Sequence, residues 1–375
     1  MNSQELLLAV LAGETPERAV FCPNIWQWFE YQKLHGLVPA EFQGFSTQLE
    51  VLKYMEVDIF SRNLLTDVRR SWIGGHAEFK YTDVEVTEQV EGNRRKITYR
   101  TPEGPLTETL FFDEKGCTLV QEEYLFKDFS TEYPAWKALF EDRRFSFDAG
   151  SYEDLVKKVG QDGLVIVGEF TCPLKQLHWN ARADSSIYLL FDHEKEMIEL
   201  MEIYEAKVLE FCTELVNSHG VKVVMTMDNL DSMFYTPDQF EKYCAPFFRR
   251  ISRVCHDAGA YFFSHACGRQ REILDQVVEC GIDGLEGIAF PPLGDIDLWE
   301  ARLAGEKFIV NGGLSAVQLE GPVTRTQAED YVEKLFLKMR PFHRFTFAMS
   351  CNTSILTAWD TLRYYRDAWH KYAQM

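Results

Sequence analysis

Three side chains in this sequence are of the types that hold a transition metal. His265 and Cys267 stand one residue apart in Tyr261-Phe262-Phe263-Ser264-His265-Ala266-Cys267-Gly268, and Cys351 lies in Met349-Ser350-Cys351-Asn352. Thiolate and imidazole are zinc's preferred protein donors, and a set of three leaves a fourth position for a reacting molecule. The apolar run before His265 reads as a buried strand, and Arg269–Leu274 opens a helical pattern. The pair therefore sits where a strand hands over to a loop, and both side chains can turn into one cavity.

Positioning Cys351 beside them requires a fold that closes on itself. Apolar segments bounded by turn residues alternate with helical stretches along the chain. The strand candidates are Val20–Ile25, Val57–Phe60, Leu164–Val167, Val221–Met227, Tyr261–Ser264, Gly284–Ile288, Lys307–Val310 and Phe345–Met349. Amphipathic segments at Phe191–Ser218, from Thr236 to near Gly259, at Thr326–Met339 and at Ser354–Tyr372 read as helices, the second opened by a Thr cap and Pro237. Near-continuous apolar strands separated by helices predict a parallel sheet closed as a (β/α)8 TIM barrel, with an open doubly wound sheet as the alternative. Closure brings the end of the last strand to the same mouth as His265. Between the second and third strands, residues 81–126 carry short β segments with turns at Glu91-Gly92-Asn93, Pro102-Glu103-Gly104 and Glu114-Lys115-Gly116, an expected antiparallel meander. Without repeats or linkers, the chain reads as one domain over 1–375 with this insertion.

Barrel active sites are built at the C-terminal ends of the strands. The polar residues there are Asn24, Arg62, Glu169, Asp228, Asn229, His265, Cys267, Glu286, Asn311, Cys351 and Asn352. Asp228 and Glu169 are candidates for a general acid or for a carboxylate that orients a ligating imidazole, with Asn229 beside them. Asn24, Trp26, Tyr235 and Glu286 are the candidate substrate contacts. Trp28, Phe29, Tyr31 and Phe234 extend that aromatic surface, which suits an aryl methyl ether or a methylated amine.

Composition narrows the partners. The chain has 375 residues, 46% of them hydrophobic and 26% charged, with a formal net charge of −19. Nucleic acid would be repelled over most of that surface. The apolar start, Leu6–Leu11, lacks a basic flank and is too short to span a bilayer, so the expectation is a cytoplasmic protein without a membrane segment. Nine cysteines without a compact spacing fit that reducing compartment.

The segments "HACG" and "MSCNTS" resemble the His-x-Cys and Cys zinc motif of the corrinoid-dependent methyltransferases in the uroporphyrinogen decarboxylase superfamily. "TMDNLDSMFYTPDQFEKYCAPFFRRISRVCHDAGAYFFSHACG", "VECGIDGLEGIAFPPLGDI" and "TYRTPEGPLTETL" are similar to further parts of that group. The resemblance implies a TIM barrel with zinc held by His265, Cys267 and Cys351. It also implies methyl transfer between a small molecule and the cobalt of a corrinoid supplied by a separate protein. The acceptor or donor would be an aryl methyl ether, a methylated amine or a thiol. The region "CPNIWQWFEYQKLHG" has no arginine where the decarboxylase carries porphyrin-binding arginines, and Gly168-Glu169 stands where Gly-Pro is usual. A docking patch for the partner is expected around Arg62, Arg69 and Arg70. Two other readings stand beside this one: a metal-independent decarboxylase or lyase using Asp228, Glu169 and Arg62, and a barrel serving only as a scaffold.

Overall fold

The computed structural model describes residues 1–374. Fifteen strands follow one another: β1 Val20–Cys22, β2 Ile59–Ser61, β3 Ala77–Lys80, β4 Glu85–Glu91, β5 Arg94–Thr101, β6 Gly104–Asp113, β7 Thr118–Glu123, β8 Arg144–Phe147, β9 Gly163–Val165, β10 Val167–Phe170, β11 Val223–Met227, β12 Tyr261–His265, β13 Gly284–Ile288, β14 Ile309–Leu314 and β15 Phe345–Met349. Seven of them form one parallel sheet in the order β1-β15-β14-β13-β12-β11-β10, and β2 pairs in parallel with β9. β9 and β10 are one strand broken at Ile166, whose N–H donates to Ser61 O at 3.2 Å. The remaining seam is closed beside β1 and β2, where Asp58 N–H donates to Phe21 O at 2.9 Å. Phe21 N–H returns a 2.9 Å bond to Asp58 Oδ2. The result is an eight-stranded (β/α)8 barrel.

Side chains alternate across these strands because the pleat has a period of two. Val20 and Cys22, Val223, Met225 and Met227, Phe263 and Ile309 point into the barrel and form its interior core. Their neighbours Phe21, Val224, Phe262 and Val310 point outwards against the helix layer. Leu6, Leu7, Val10 and Leu11 of the first helix, Ser3–Leu11, join the interior cluster. Each large apolar side chain buried this way contributes roughly 1.5–3 kcal/mol.

Several boundaries differ from the sequence reading. The first strand stops at Cys22, the seventh runs from Ile309 to Leu314, and the segment from Phe191 is two helices, Ala183–Asp192 and Glu194–Ser218, separated at His193. The long helix after Thr236 contains a π turn at Phe240–Cys244. Between β2 and β9, β3 pairs antiparallel with β8, and β4-β5-β6-β7 make a four-stranded antiparallel sheet.

Candidate metal centre

The alternation that fills the barrel also aims its polar residues. His265 has the same parity as Tyr261 and Phe263 and so ends β12 pointing inwards. Arg62 follows Phe60, and Glu286 follows Gly284, in the same inward register. Cys267 lies in the loop after β12, and the loop after β15 returns Cys351. The donor atoms of His265, Cys267 and Cys351 all lie within 4.8 Å of one another. Gly268, with φ +120°, makes the turn after Cys267 possible, because any Cβ there would strike the Asp231 carboxylate. Of the nine cysteines, Cys267 and Cys351 are the two that are not buried.

One carboxylate orients the imidazole. Glu286 Oε2 lies 2.6 Å from His265 Nδ1 and accepts a 2.7 Å bond from Arg62 Nε. Nδ1 is thereby committed to Glu286, and Nε2 faces Cys351 Sγ at 4.0 Å. Burial alone would raise the Glu286 carboxyl, but Arg62 and His265 hold it down to about 2. Burial and Arg62 oppose protonation of His265, yet its contacts with Cys351 and Glu286 shift it upwards. The two thiols are driven apart: a hydrogen bond from Cys267 holds Cys351 well below the usual range, and the same contact raises Cys267. An imidazole with a free Nε2, one thiolate and a second thiol within reach form a donor set that could hold a metal ion.

These side chains open into a cavity of about 300 Å³ lined also by Trp26, Trp72, Trp179, Met227 and Asn229. Trp26 keeps its place there by donating Nε1–H to Thr66 O at 2.9 Å. Trp72 and Trp179 sit with ring centroids 6.0 Å apart. Asn229 adopts φ +49° and meets Cys267 Sγ through its Oδ1 at 3.2 Å. Asn352 reaches the cavity and is steadied by Asn24, whose Nδ2 donates to its Oδ1 at 2.9 Å.

Other expected site residues are placed elsewhere. Asp228 has outward parity, after Val224 and Thr226, and is fully buried behind the barrel wall. It accepts from Cys172 N–H at 2.6 Å, at the start of the helix Pro173–Ala181, and from Ser264 Oγ at 3.2 Å. Glu169 likewise follows the outward Val165 and Val167, and accepts from His76 N–H at 2.8 Å and Gly75 N–H at 3.3 Å. The carboxylate that meets His265 is therefore Glu286, which the sequence reading assigned to substrate, rather than Asp228 or Glu169. Tyr235 is buried, with its hydroxyl 3.4 Å from His178 Nδ1, and does not line this cavity. Trp28 and Phe29 belong to the outer core, and Asn311 is buried at an inward position on β14. Arg62 is 3% exposed and is removed from any docking patch by its bond to Glu286. Trp72 and Trp179 were missed, although each stands on the mouth side of a barrel strand, after β2 and after β10.

A family profile described as uroporphyrinogen decarboxylase (URO-D) matches residues 143–372. A methyltransferase from Methanosarcina mazei superposes with a TM-score of 0.63 at 13% identity, covering 99% of each chain. A D-psicose 3-epimerase from Clostridium cellulolyticum gives a TM-score of 0.36 at 10% identity, covering 60% of this chain and 83% of that one. No curated protein matches the sequence.

Proposed function

The chain belongs to the uroporphyrinogen decarboxylase family, and from that premise we propose that it is a zinc-dependent methyltransferase. It moves a methyl group between a small molecule and the cobalt of a corrinoid carried by a separate protein. The observation that carries this reading is the convergence of His265, Cys267 and Cys351 on one cavity, with Glu286 committed to the imidazole Nδ1. Zinc and corrinoid are part of the proposal. Bound zinc supplies Lewis acidity, lowering the pKa of a thiol or drawing charge from an ether oxygen.

The protein's own residues divide the remaining work. His265 offers Nε2, and Cys267 and Cys351 offer sulfur. Glu286 is a positioning residue that fixes the imidazole tautomer and ring plane, and Arg62 keeps that carboxylate charged. Trp26, Trp72 and Trp179 bound the cavity with flat apolar surfaces that exclude water and hold a methylated donor or a thiol acceptor. Asn229 and Asn352 supply the neutral polar contacts beside Cys267 and Cys351. Asp228 positions the amide at the head of the helix that carries Trp179. The exposed side chains of Met233, Phe234, Leu293 and Leu356 stand on loops that follow β11, β13 and β15. Exposed apolar side chains on these loops suit a docked protein partner. The chain is read as a single barrel unit with the β4–β7 sheet inserted, and no described helix is long and apolar enough to cross a membrane.

The lyase alternative requires Asp228, Glu169 and Arg62 to share a cavity, and the outward parity of the two carboxylates and the bond that ties the inward Arg62 to Glu286 count against it. The test combines metal-replete protein, cobalt(I) corrinoid and a panel of methoxylated aromatics, methylamines and methyl thioethers, followed by absorbance. The reverse direction uses methylcobalamin and thiols. Methyl-cobalt formation or consumption that depends on the protein is the expected result. Silence in both directions, with zinc present at one per chain, would overturn the proposal.

A further inference from the structure

A second cavity, of about 470 Å³, lies between the barrel and the inserted sheet. Its size falls within the range of small-molecule sites. Alternation on the inserted strands turns one face towards it: Arg95, Ile97 and Tyr99 from β5, and Glu108 and Leu110 from β6. It shares Trp72, Ile73, Gln121 and Trp179 with the metal cavity, so an indole wall separates, and joins, the two.

The charged groups facing this space are nearly all engaged. Arg70 and Arg95 pair with Glu88 at 3.3 Å and 2.9 Å. Asp67 accepts from Arg69 N–H at 2.9 Å. Glu108 takes the Tyr99 hydroxyl at 2.9 Å, and Glu169 takes backbone amides. Arg143 is the exception. It is 5% exposed, and its one side-chain hydrogen bond among the described residues runs from Nε to the Tyr81 hydroxyl at 3.2 Å. Its guanidinium carbon sits 4.3 Å from the Phe79 ring centroid and 5.3 Å from that of Phe140. No carboxylate among the described residues lies within 4.0 Å of it. Glu108 faces the same cavity but is held by Tyr99 and makes no ion pair with Arg143; a buried cation with no carboxylate in contact is costly, and its guanidinium fork matches a carboxylate through two parallel bonds.

We propose that this cavity binds the carboxylate of a small organic acid, with the Arg143 guanidinium as its anchor. Phe79 and Phe140 hold the guanidinium plane, the Tyr81 hydroxyl occupies Nε, and the terminal amino groups are left for the ligand. If the ligand is the methyl donor, its acid end lies at Arg143 and its methyl group beyond Trp72 and Trp179. That extension alone rests on the function proposed above.

Binding can be read without turnover, by titration calorimetry on the full chain. Two pairs of probes separate an aromatic acid from an aliphatic ammonium acid: 3-methoxybenzoate against 3-methoxybenzamide, and glycine betaine against choline. At least one acid should bind tenfold or more tightly than its uncharged-end partner. Arg143→Gln should erase that preference, and Arg143→Lys should keep part of it, with circular dichroism reporting the fold. If Arg143→Gln does not fold, the wild-type pairs and Arg143→Lys decide. Failure of both acids to bind, or an acid preference that survives in Arg143→Gln, would overturn the assignment. Acid binding without methyl transfer would sink the function and leave this site standing. Methyl transfer from neutral donors with no acid binding would do the reverse.

Discussion

Glu286 Oε2 stands 2.6 Å from His265 Nδ1, and that contact decides which imidazole nitrogen is free. The same oxygen accepts from Arg62 at 2.7 Å, so the carboxylate is pinned on one side before it meets the ring on the other.

Replacing this carboxylate should therefore separate two effects. Glu286→Gln should weaken zinc binding by about 10–100-fold, measured by chelator competition. It also leaves Arg62 buried without its counter-charge, which costs about 3–5 kcal/mol in urea denaturation. The double variant Glu286→Gln with Arg62→Met should recover stability but not metal affinity. Wild-type metal affinity in the single variant would remove Glu286 from its positioning role.

Cys267→Ala and Cys351→Ala should each lower bound zinc from about one per chain to less than about a tenth, by elemental analysis. Both should keep the far-ultraviolet spectrum of the wild type, since the ligands stand in loops beyond the barrel core. Full retention of metal in both variants contradicts the ligand set.

Trp72→Ala and Trp179→Ala remove a wall shared by both cavities. Each should raise KM for the small substrate by about tenfold or more while zinc content is unchanged. An unaltered KM in both would place the substrate elsewhere.

Glu169 gives a pH prediction. Burial pushes its carboxyl up to about 7, against the opposing bonds from the His76 and Gly75 amides. An unfolded glutamate titrates near 4.3. Between about pH 4.3 and 7 the folded protein binds more protons than the unfolded chain, so this group makes stability fall as pH rises through that window and level off above it. Glu169→Gln keeps an acceptor for the two amides and should flatten that decline in denaturation series across the window. An identical slope would show that Glu169 is ionised throughout.

The barrel strands and the clustering of His265, Cys267 and Cys351 were legible because both follow from simple periodicity and residue type. Which parity faces inwards was not legible, because β11 and β12 are buried on both faces: the reading put Asp228 in the mouth, whereas the barrel turns Phe263 and His265 inwards and Val224 and Asp228 outwards. What sequence could not supply was the partner across space. Arg62 and Glu286 are far apart in the chain, and only barrel closure brings their side chains into contact. The β7 and α-helical neighbours that place Gln121 against Trp179 depend in the same way on how the inserted sheet packs. Gln121 Nε2 donates to Trp179 O at 2.9 Å, a contact no local pattern announces.

The inserted sheet lies wholly within Glu85–Glu123, whereas the His/Cys/Cys cluster spans His265–Cys351. The roof of the second cavity and the His265, Cys267 and Cys351 cluster are thus written in separate stretches of the chain and meet at an indole wall. A lineage could exchange the roof for another and reshape the second cavity while leaving the His/Cys/Cys cluster as it stands. An engineer could do the same by grafting a foreign meander between Tyr81 and Phe126, leaving His265, Cys267 and Cys351 in place.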